Sequence, residues 1–142
     1  MSETIEAVGQ CVCGAVQIEA KTMDTGVGAC HCGTCRRWGG GPLMAVDCGT
    51  EITFSGEDHI TVYDSSAWAE RGFCNTCGSH LFYRIKQNGQ HIVPAGLFGD
   101  VDAFDFDHQV FVDERPAYYQ FANQNREMTG AEVFAMYAPK AE

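Results

Sequence analysis

The chain has 142 residues and a formal net charge of −10, because 19 Asp and Glu residues outnumber nine Lys and Arg residues. We predict a single domain over residues 1–142, and the acidic balance argues against binding to nucleic acid or to an anionic membrane. No apolar run approaches the ~20 residues that span a bilayer, and the acidic N-terminal segment is unlike a secretory signal, so the predicted location is the cytoplasm.

Short strands separated by turns dominate the predicted secondary structure. The 16 glycines, nine phenylalanines and five tyrosines are typical of a turn-rich β protein. Segments such as His80–Ile85 alternate apolar and polar residues, which favours short antiparallel strands in two sheets. The predicted strands are Gly14–Ala20, Pro42–Val46, Glu51–Phe54, Ile60–Tyr63, Trp68–Phe73, His80–Ile85, His91–Gly96 and Gln109–Val112.

Helices are few in this pattern. Gly33–Trp38 is predicted as one helical turn, and Thr129–Tyr137 as a short helix in which Thr129 and Glu132 have the spacing of a capping box. Asp100–Asp107 is rich in aspartate but lacks the glycine and glutamate of a calcium-binding EF-hand loop, so we predict an exposed acidic loop there.

Seven of the eight cysteines lie in three clusters. In a reducing cytoplasm such clusters indicate metal binding or redox chemistry rather than a disulfide framework. The C-x-x-C pair followed by Gly78 has the form of a zinc knuckle, in which a tight turn directs two sulfurs at one point. The clusters are Cys11 with Cys13, Cys30 with Cys32 and Cys35, and Cys74 with Cys77.

These clusters can supply a four-thiolate zinc site in two ways. The Cys11/Cys13 pair can join Cys74/Cys77, or the triplet can be completed by Cys11 or Cys13. The first partition keeps every cluster whole and is favoured. It leaves a triplet site with one open position, the arrangement of a catalytic zinc.

Two residues near the clusters have ambiguous roles. Cys48 stands alone at the end of a predicted strand, where a small buried apolar residue is the better interpretation. His31 lies between two cysteines, and because adjacent side chains tend to point apart, we expect it either to support the ligands or to face solvent. Either residue is nevertheless a possible fourth ligand of the triplet.

Three segments that carry the cysteines closely resemble the glutathione-dependent formaldehyde-activating enzyme family, also called the centromere protein V/Gfa family. They are Gly9–Val16, Cys30–Arg37 and Phe73–Ser79, and the resemblance runs through most of the chain. It implies a mainly β, Mss4-like β-tent of short antiparallel sheets with few short helices. It also implies a structural zinc on Cys11, Cys13, Cys74 and Cys77 and a second zinc on Cys30, Cys32 and Cys35, two Zn²⁺ per chain.

The resemblance further implies carbon–sulfur lyase chemistry, in which formaldehyde and glutathione form S-(hydroxymethyl)glutathione. A small thiol such as glutathione is therefore the expected partner, and Arg36 and Arg37 are predicted to bind its carboxylates. Two alternatives remain: a non-catalytic zinc module that binds other proteins, and a methionine sulfoxide reductase-like enzyme that uses Cys48. The sequence does not indicate an oligomeric state.

Overall fold

The protein is described by a computed structural model over residues 3–137, in which eleven strands and two helices make up the regular structure. The strands are β1 Thr4–Gln10, β2 Gln17–Asp24, β3 Gly26–Cys30, β4 Leu43–Gly49, β5 Ile52–Ser55, β6 Ile60–Tyr63, β7 Ala69–Cys74, β8 His80–Ile85, β9 His91–Pro94, β10 Asp105–Val110 and β11 Arg126–Met128. The helices are α1 Gly33–Gly39 and α2 Gly130–Tyr137, and three 3₁₀ turns lie at Glu57–His59, Ala95–Phe98 and Val112–Glu114. The predicted mainly β class is confirmed.

The strands form two sheets, as predicted. The smaller sheet has the order β1-β2-β5, and the larger has the order β11-β10-β3-β4-β9-β8-β7-β6. Most neighbours are antiparallel, but β10 runs parallel to both β3 and β11. The prediction of antiparallel strands throughout is therefore wrong at this edge. After β9 the chain crosses over β4 and β3, so that β10 pairs with the far side of β3 in parallel orientation.

The described strands agree best with prediction where apolar and polar residues alternate. Those over Ile60–Tyr63 and His80–Ile85 begin and end as predicted. Three strands were not predicted: β1, β3 and β11. The β3 segment contains two glycines and an alanine, which are weak strand formers, and it is held by partners on both sides.

The acidic segment Asp100–Asp107 is a loop only in its first part. Residues 105–107 belong to β10, so the predicted exposed loop is wrong there, and the predicted strand Gln109–Val112 begins too late and ends too late. Phe111 ends the strand because its φ of 56° lies in the left-handed region. The turn that follows brings the carboxylate of Glu114 to the backbone N–H of Gly33 at 3.0 Å, at the start of α1.

Both predicted helices are present. The first extends one residue beyond the predicted Gly33–Trp38. The predicted Thr129–Tyr137 helix begins at Gly130 and has the expected capping box. The Glu132 carboxylate accepts from the Thr129 N–H at 3.0 Å, and the Thr129 hydroxyl accepts from the Glu132 N–H at 3.2 Å.

The main core lies between the two sheets. Its largest fully buried side chains include Ile18 and Met23 from β2 and Leu81 and Phe82 from β8. Each such side chain stabilises the fold by roughly 1.5–3 kcal/mol through burial. A second, smaller cluster of Phe111, Met128 and Val133 packs against Cys30, Cys32 and Val110. Within residues 3–137, no helix has the length and apolar character needed to cross a membrane.

Candidate metal centres

Four cysteines from distant parts of the chain meet at one point. Cys11 and Cys13 follow β1, whereas Cys74 ends β7 and Cys77 lies in the turn before β8. Their four sulfurs all lie within 4.8 Å of one another, with 3.6 Å between Cys11 and Cys13 and 3.8 Å between Cys13 and Cys74. Tetrahedral zinc with Zn–S bonds of ~2.3 Å needs sulfurs about 3.8 Å apart, so these residues fit a closed zinc site.

Backbone hydrogen bonds shape the two knuckles. Gly78 has a φ of 83° and donates its N–H to the carbonyl of Cys74 at 2.7 Å, a turn that a residue with a Cβ would strain. The Ser79 hydroxyl accepts from the Val12 N–H at 3.1 Å, which ties one knuckle to the other. Hydrogen bonds from Ser79 also lower the pKa of Cys77 to about 5, which favours the thiolate that a metal requires.

The other three clustered cysteines come from one short segment. Cys30 ends β3, Cys32 is the N-cap residue of α1, and Cys35 lies in its first turn. The three sulfurs lie within 4.8 Å of one another, and the Cys32 sulfur also accepts from the Cys35 N–H at 3.4 Å. The short helix therefore directs three soft donors toward one point and leaves the fourth tetrahedral position without a clustered cysteine.

The three thiols influence one another strongly. Hydrogen bonds from Cys30 and Cys35 lower the pKa of Cys32, and the positive charge of Arg71 acts in the same direction. Hydrogen bonds with Cys32 and then with Cys35 raise the pKa of Cys30. One of the three thiols thus ionises readily, and its negative charge makes ionisation of the others harder. A divalent metal would replace the remaining protons and so stabilise all three thiolates.

Arg71 is a buried cation beside this triplet that the sequence analysis did not single out. It lies on β7, is 3% exposed, and donates from Nη2 to the Cys35 sulfur at 3.6 Å. Its guanidinium carbon lies 5.2 Å from the centre of the Tyr83 ring. Its Nε and Nη1 atoms are buried and have no hydrogen-bond partner among the described residues. Three thiolates with Zn²⁺ carry a net charge of −1, so the guanidinium is suited to balance the metal site.

A cavity of about 710 Å³ opens beside the triplet, a volume within the range of small-molecule sites. All three cysteines of the triplet line it, whereas none of the four-cysteine cluster does. Strands β3, β4, β9 and β10 contribute to its walls, and α2 contributes Val133, Phe134, Met136 and Tyr137. The two clusters therefore differ in their surroundings: Cys11 and Cys74 belong to the main core, whereas the triplet faces a cavity that can admit a ligand.

Comparison with known proteins identifies the family. The family profile described as glutathione-dependent formaldehyde-activating enzyme matches residues 6–114. This chain belongs to that family. An uncharacterized lyase of Schizosaccharomyces pombe is 36% identical over 130 residues, which are 90% of this chain and 94% of the relative. A crystal structure of a Rhodobacter sphaeroides protein has 27% sequence identity and a TM-score of 0.58, and it covers 67% of this chain and 90% of that one.

The resemblance recognised in the sequence is thus confirmed, and with it the mainly β fold of the formaldehyde-activating enzyme family. The family and the lyase relative both support a lyase-like role. The two cysteine clusters can each hold a metal ion, and they have the partition favoured from the spacing.

His31 supports the triplet in this family member rather than facing solvent. Its ring is fully buried, with Nδ1 2.7 Å from the Tyr119 hydroxyl and Nε2 2.8 Å from Oε1 of Gln109. Because Nε2 of Gln109 donates to Asn125, its Oε1 is the atom that accepts from His31. The proton of the neutral ring therefore sits on Nε2, and burial lowers the pKa of His31. The solvent-facing alternative is wrong, since the ring anchors the loop between Cys30 and Cys32 to β10.

The arginines predicted to bind substrate occupy different environments. Arg37 is exposed and lines the cavity. Arg36 does not line it, and its Nε donates to the backbone carbonyl of His31 at 2.9 Å, which suits a positioning role. Arg126 on β11 also lines the cavity and was missed, because only the pairing of β11 with β10 brings it there.

Cys48 lies outside both clusters. It is fully buried in the main core, and burial followed by the charge of Asp47 raises its pKa to about 12. A nucleophilic cysteine needs an accessible sulfur and a lowered pKa. The interpretation of Cys48 as a buried apolar residue is therefore favoured over the methionine sulfoxide reductase-like alternative.

Proposed function

We propose that the protein is a zinc-dependent carbon–sulfur lyase that joins a thiol to a carbonyl compound and reverses the reaction at the cavity beside Cys30, Cys32 and Cys35. The observation that carries the proposal is the placement of this triplet in a cavity wall, whereas the other four clustered cysteines lie elsewhere. Zinc held by three thiolates offers one further position to a sulfur ligand and favours its ionised form. A second zinc on the four-cysteine cluster is proposed to be structural.

The chain's own residues are suited to bind a small thiol at the cavity. Arg37 and Arg126 line it and can bind carboxylates of a thiol such as glutathione. Arg71 holds a positive charge next to the cysteines, which offsets the added negative charge of an incoming thiolate. The apolar side chains of α2 help to exclude water. We propose formaldehyde and glutathione as the first pair to test, and the cytoplasm as the location.

Cobalt substitution tests the proposed site directly, because the sulfur-to-cobalt charge-transfer absorption grows when another sulfur binds. Glutathione should increase this absorption in the wild-type protein, and Cys32→Ser should abolish the increase. Arg37→Ala should weaken glutathione binding by ~1–3 kcal/mol if its guanidinium holds a carboxylate. Cys48→Ala is the matched control, since it removes a cysteine outside both clusters and should leave the response intact.

The outcomes separate the competing functions. If neither glutathione nor any other small thiol changes the absorption of the cobalt site, the proposal is contradicted and a non-catalytic zinc module is favoured. A spectral response without turnover of formaldehyde would retain the thiol site and reject formaldehyde as the electrophile.

A further inference from the structure

Asp107 and His108 are neighbours in the sequence, yet both side chains line the cavity. In a regular strand, adjacent side chains point to opposite faces. Here the pairing of β10 with β3 shifts register between Phe106 and His108, which is a β-bulge. The bulge brings both side chains to one face, where Nδ1 of His108 lies 2.5 Å from the Asp107 carboxylate.

Two glycines of β3 make room for this pair. A Cβ on Gly26 would overlap the Asp107 carboxylate, and a Cβ on Gly28 would overlap Nε2 of His108. Residues 26, 28 and 30 alternate along one strand, so the positions covered by Asp107 and His108 lie on the same face as Cys30. Successive positions on that face are about 6.6 Å apart along the strand, so His108 covers the position next to Cys30 on the face that carries the triplet.

The hydrogen bond to Asp107 also determines which ring nitrogen of His108 is available. An ionised carboxylate only accepts hydrogen bonds, so Nδ1 of His108 carries the proton that it donates to Asp107. In the neutral imidazole, Nε2 then has a free lone pair, and this is the atom that lies over Gly28 in the cavity. A histidine oriented by a carboxylate with its other nitrogen free has the arrangement of a general base.

We propose that His108 is the general acid–base residue of the lyase reaction and that Asp107 is its positioning residue. This inference rests on the proposed function at the triplet. In the forward direction, Nε2 takes the proton of the incoming thiol. The sulfur then attacks the carbonyl carbon, so that a C–S bond forms and the C=O π electrons move to oxygen. Nε2 returns the same proton to that oxygen and gives the hydroxyl of the adduct. Thiol and carbonyl thus become one product without an oxidant, a reductant or a net change of protons.

Nitrogen-15 NMR of the histidine rings in the zinc-loaded protein tests the assignment without relying on turnover. The free protein should show His108 as the Nδ1–H tautomer, and Asp107→Asn should weaken that preference whereas Asp107→Glu should partly restore it. Saturating glutathione should shift the Nε2 resonance of His108, because the bound thiol lies within reach of that nitrogen. An Nε2 resonance that stays unchanged while glutathione binds would overturn the proposal and leave the thiol site standing.

Kinetics gives a second readout. His108→Gln should lower kcat by about 10²–10⁴-fold and leave the glutathione dissociation constant of the cobalt protein nearly unchanged. Gly28→Ala should lower kcat too, because its methyl group displaces the imidazole, whereas His59→Gln is a control on an exposed histidine outside the cavity. Wild-type turnover in His108→Gln would refute the proton-transfer role alone. No thiol binding to the wild-type protein would refute the proposed function, and the proton-transfer role with it.

Discussion

Replacing Arg71 by methionine removes a positive charge from beside the triplet and keeps a side chain of similar reach. The guanidinium nitrogen lies 3.6 Å from the Cys35 sulfur, and Cys35 is its only hydrogen-bond partner among the described residues. At an effective dielectric constant of ~20, two unit charges at this distance interact by about 4–5 kcal/mol, which is an upper limit. Hydrogen bonds to charged groups contribute about 1.5–3 kcal/mol. We therefore expect zinc to bind the triplet of Arg71→Met about tenfold to 150-fold more weakly.

Anaerobic competition with a chromophoric chelator measures this loss, with the metal of the four-cysteine cluster left in place. Arg71→Lys should recover part of the affinity, because it restores the charge without the planar donor set. Arg84→Met is the matched control: it removes an arginine from the adjacent strand, where the side chain pairs with Glu70 and not with the triplet. Wild-type zinc affinity in a normally folded Arg71→Met protein would refute the charge-balance argument.

Two further predictions concern the metal clusters and acid stability. Cys74→Ser should unfold the chain, because the binding of structural zinc contributes directly to the folding free energy. Cys32→Ser should lose one zinc and keep the circular dichroism of a β protein. The reverse pattern would show that the two clusters have exchanged roles. Burial, followed by the charge of Arg71, lowers the pKa of His80 to about 4. The stabilisation from its neutral ring is full above the unfolded pKa of about 6.5 and is lost as the pH falls toward 4. As the pH falls over this range, the free energy of unfolding should therefore decrease by roughly 1–3 kcal/mol less in His80→Phe than in wild type. Urea unfolding at fixed free zinc measures both values, and an equal decrease in the two proteins would contradict the assignment.

The sequence predicted the parts of the molecule that local patterns encode. Cysteine spacing indicated both clusters, and alternation located the strand over His80–Ile85. The role of Arg71 was not predictable in this way, because a strand residue gives no local sign that its guanidinium will be buried beside sulfur. The pair formed by Asp107 and His108 depends on a bulge, which one sequence does not reveal. Gly26 and Gly28, which lie opposite that pair, did not indicate it in the sequence, where their only effect was to make β3 look less like a strand.

The four-cysteine cluster has a consequence for the order in which a new chain can fold. It joins the three-stranded sheet, complete by Ser55, to the eight-stranded sheet, and Cys13 and Cys74 are 61 residues apart. Closing a loop of that length costs about 3–4 kcal/mol of chain entropy. At ~5–20 residues per second, the ribosome leaves Cys11 and Cys13 without their partners for several seconds. When a cell is short of zinc, we therefore expect nascent chains, whose N-terminal thiols are still exposed, to be damaged before molecules that have already folded.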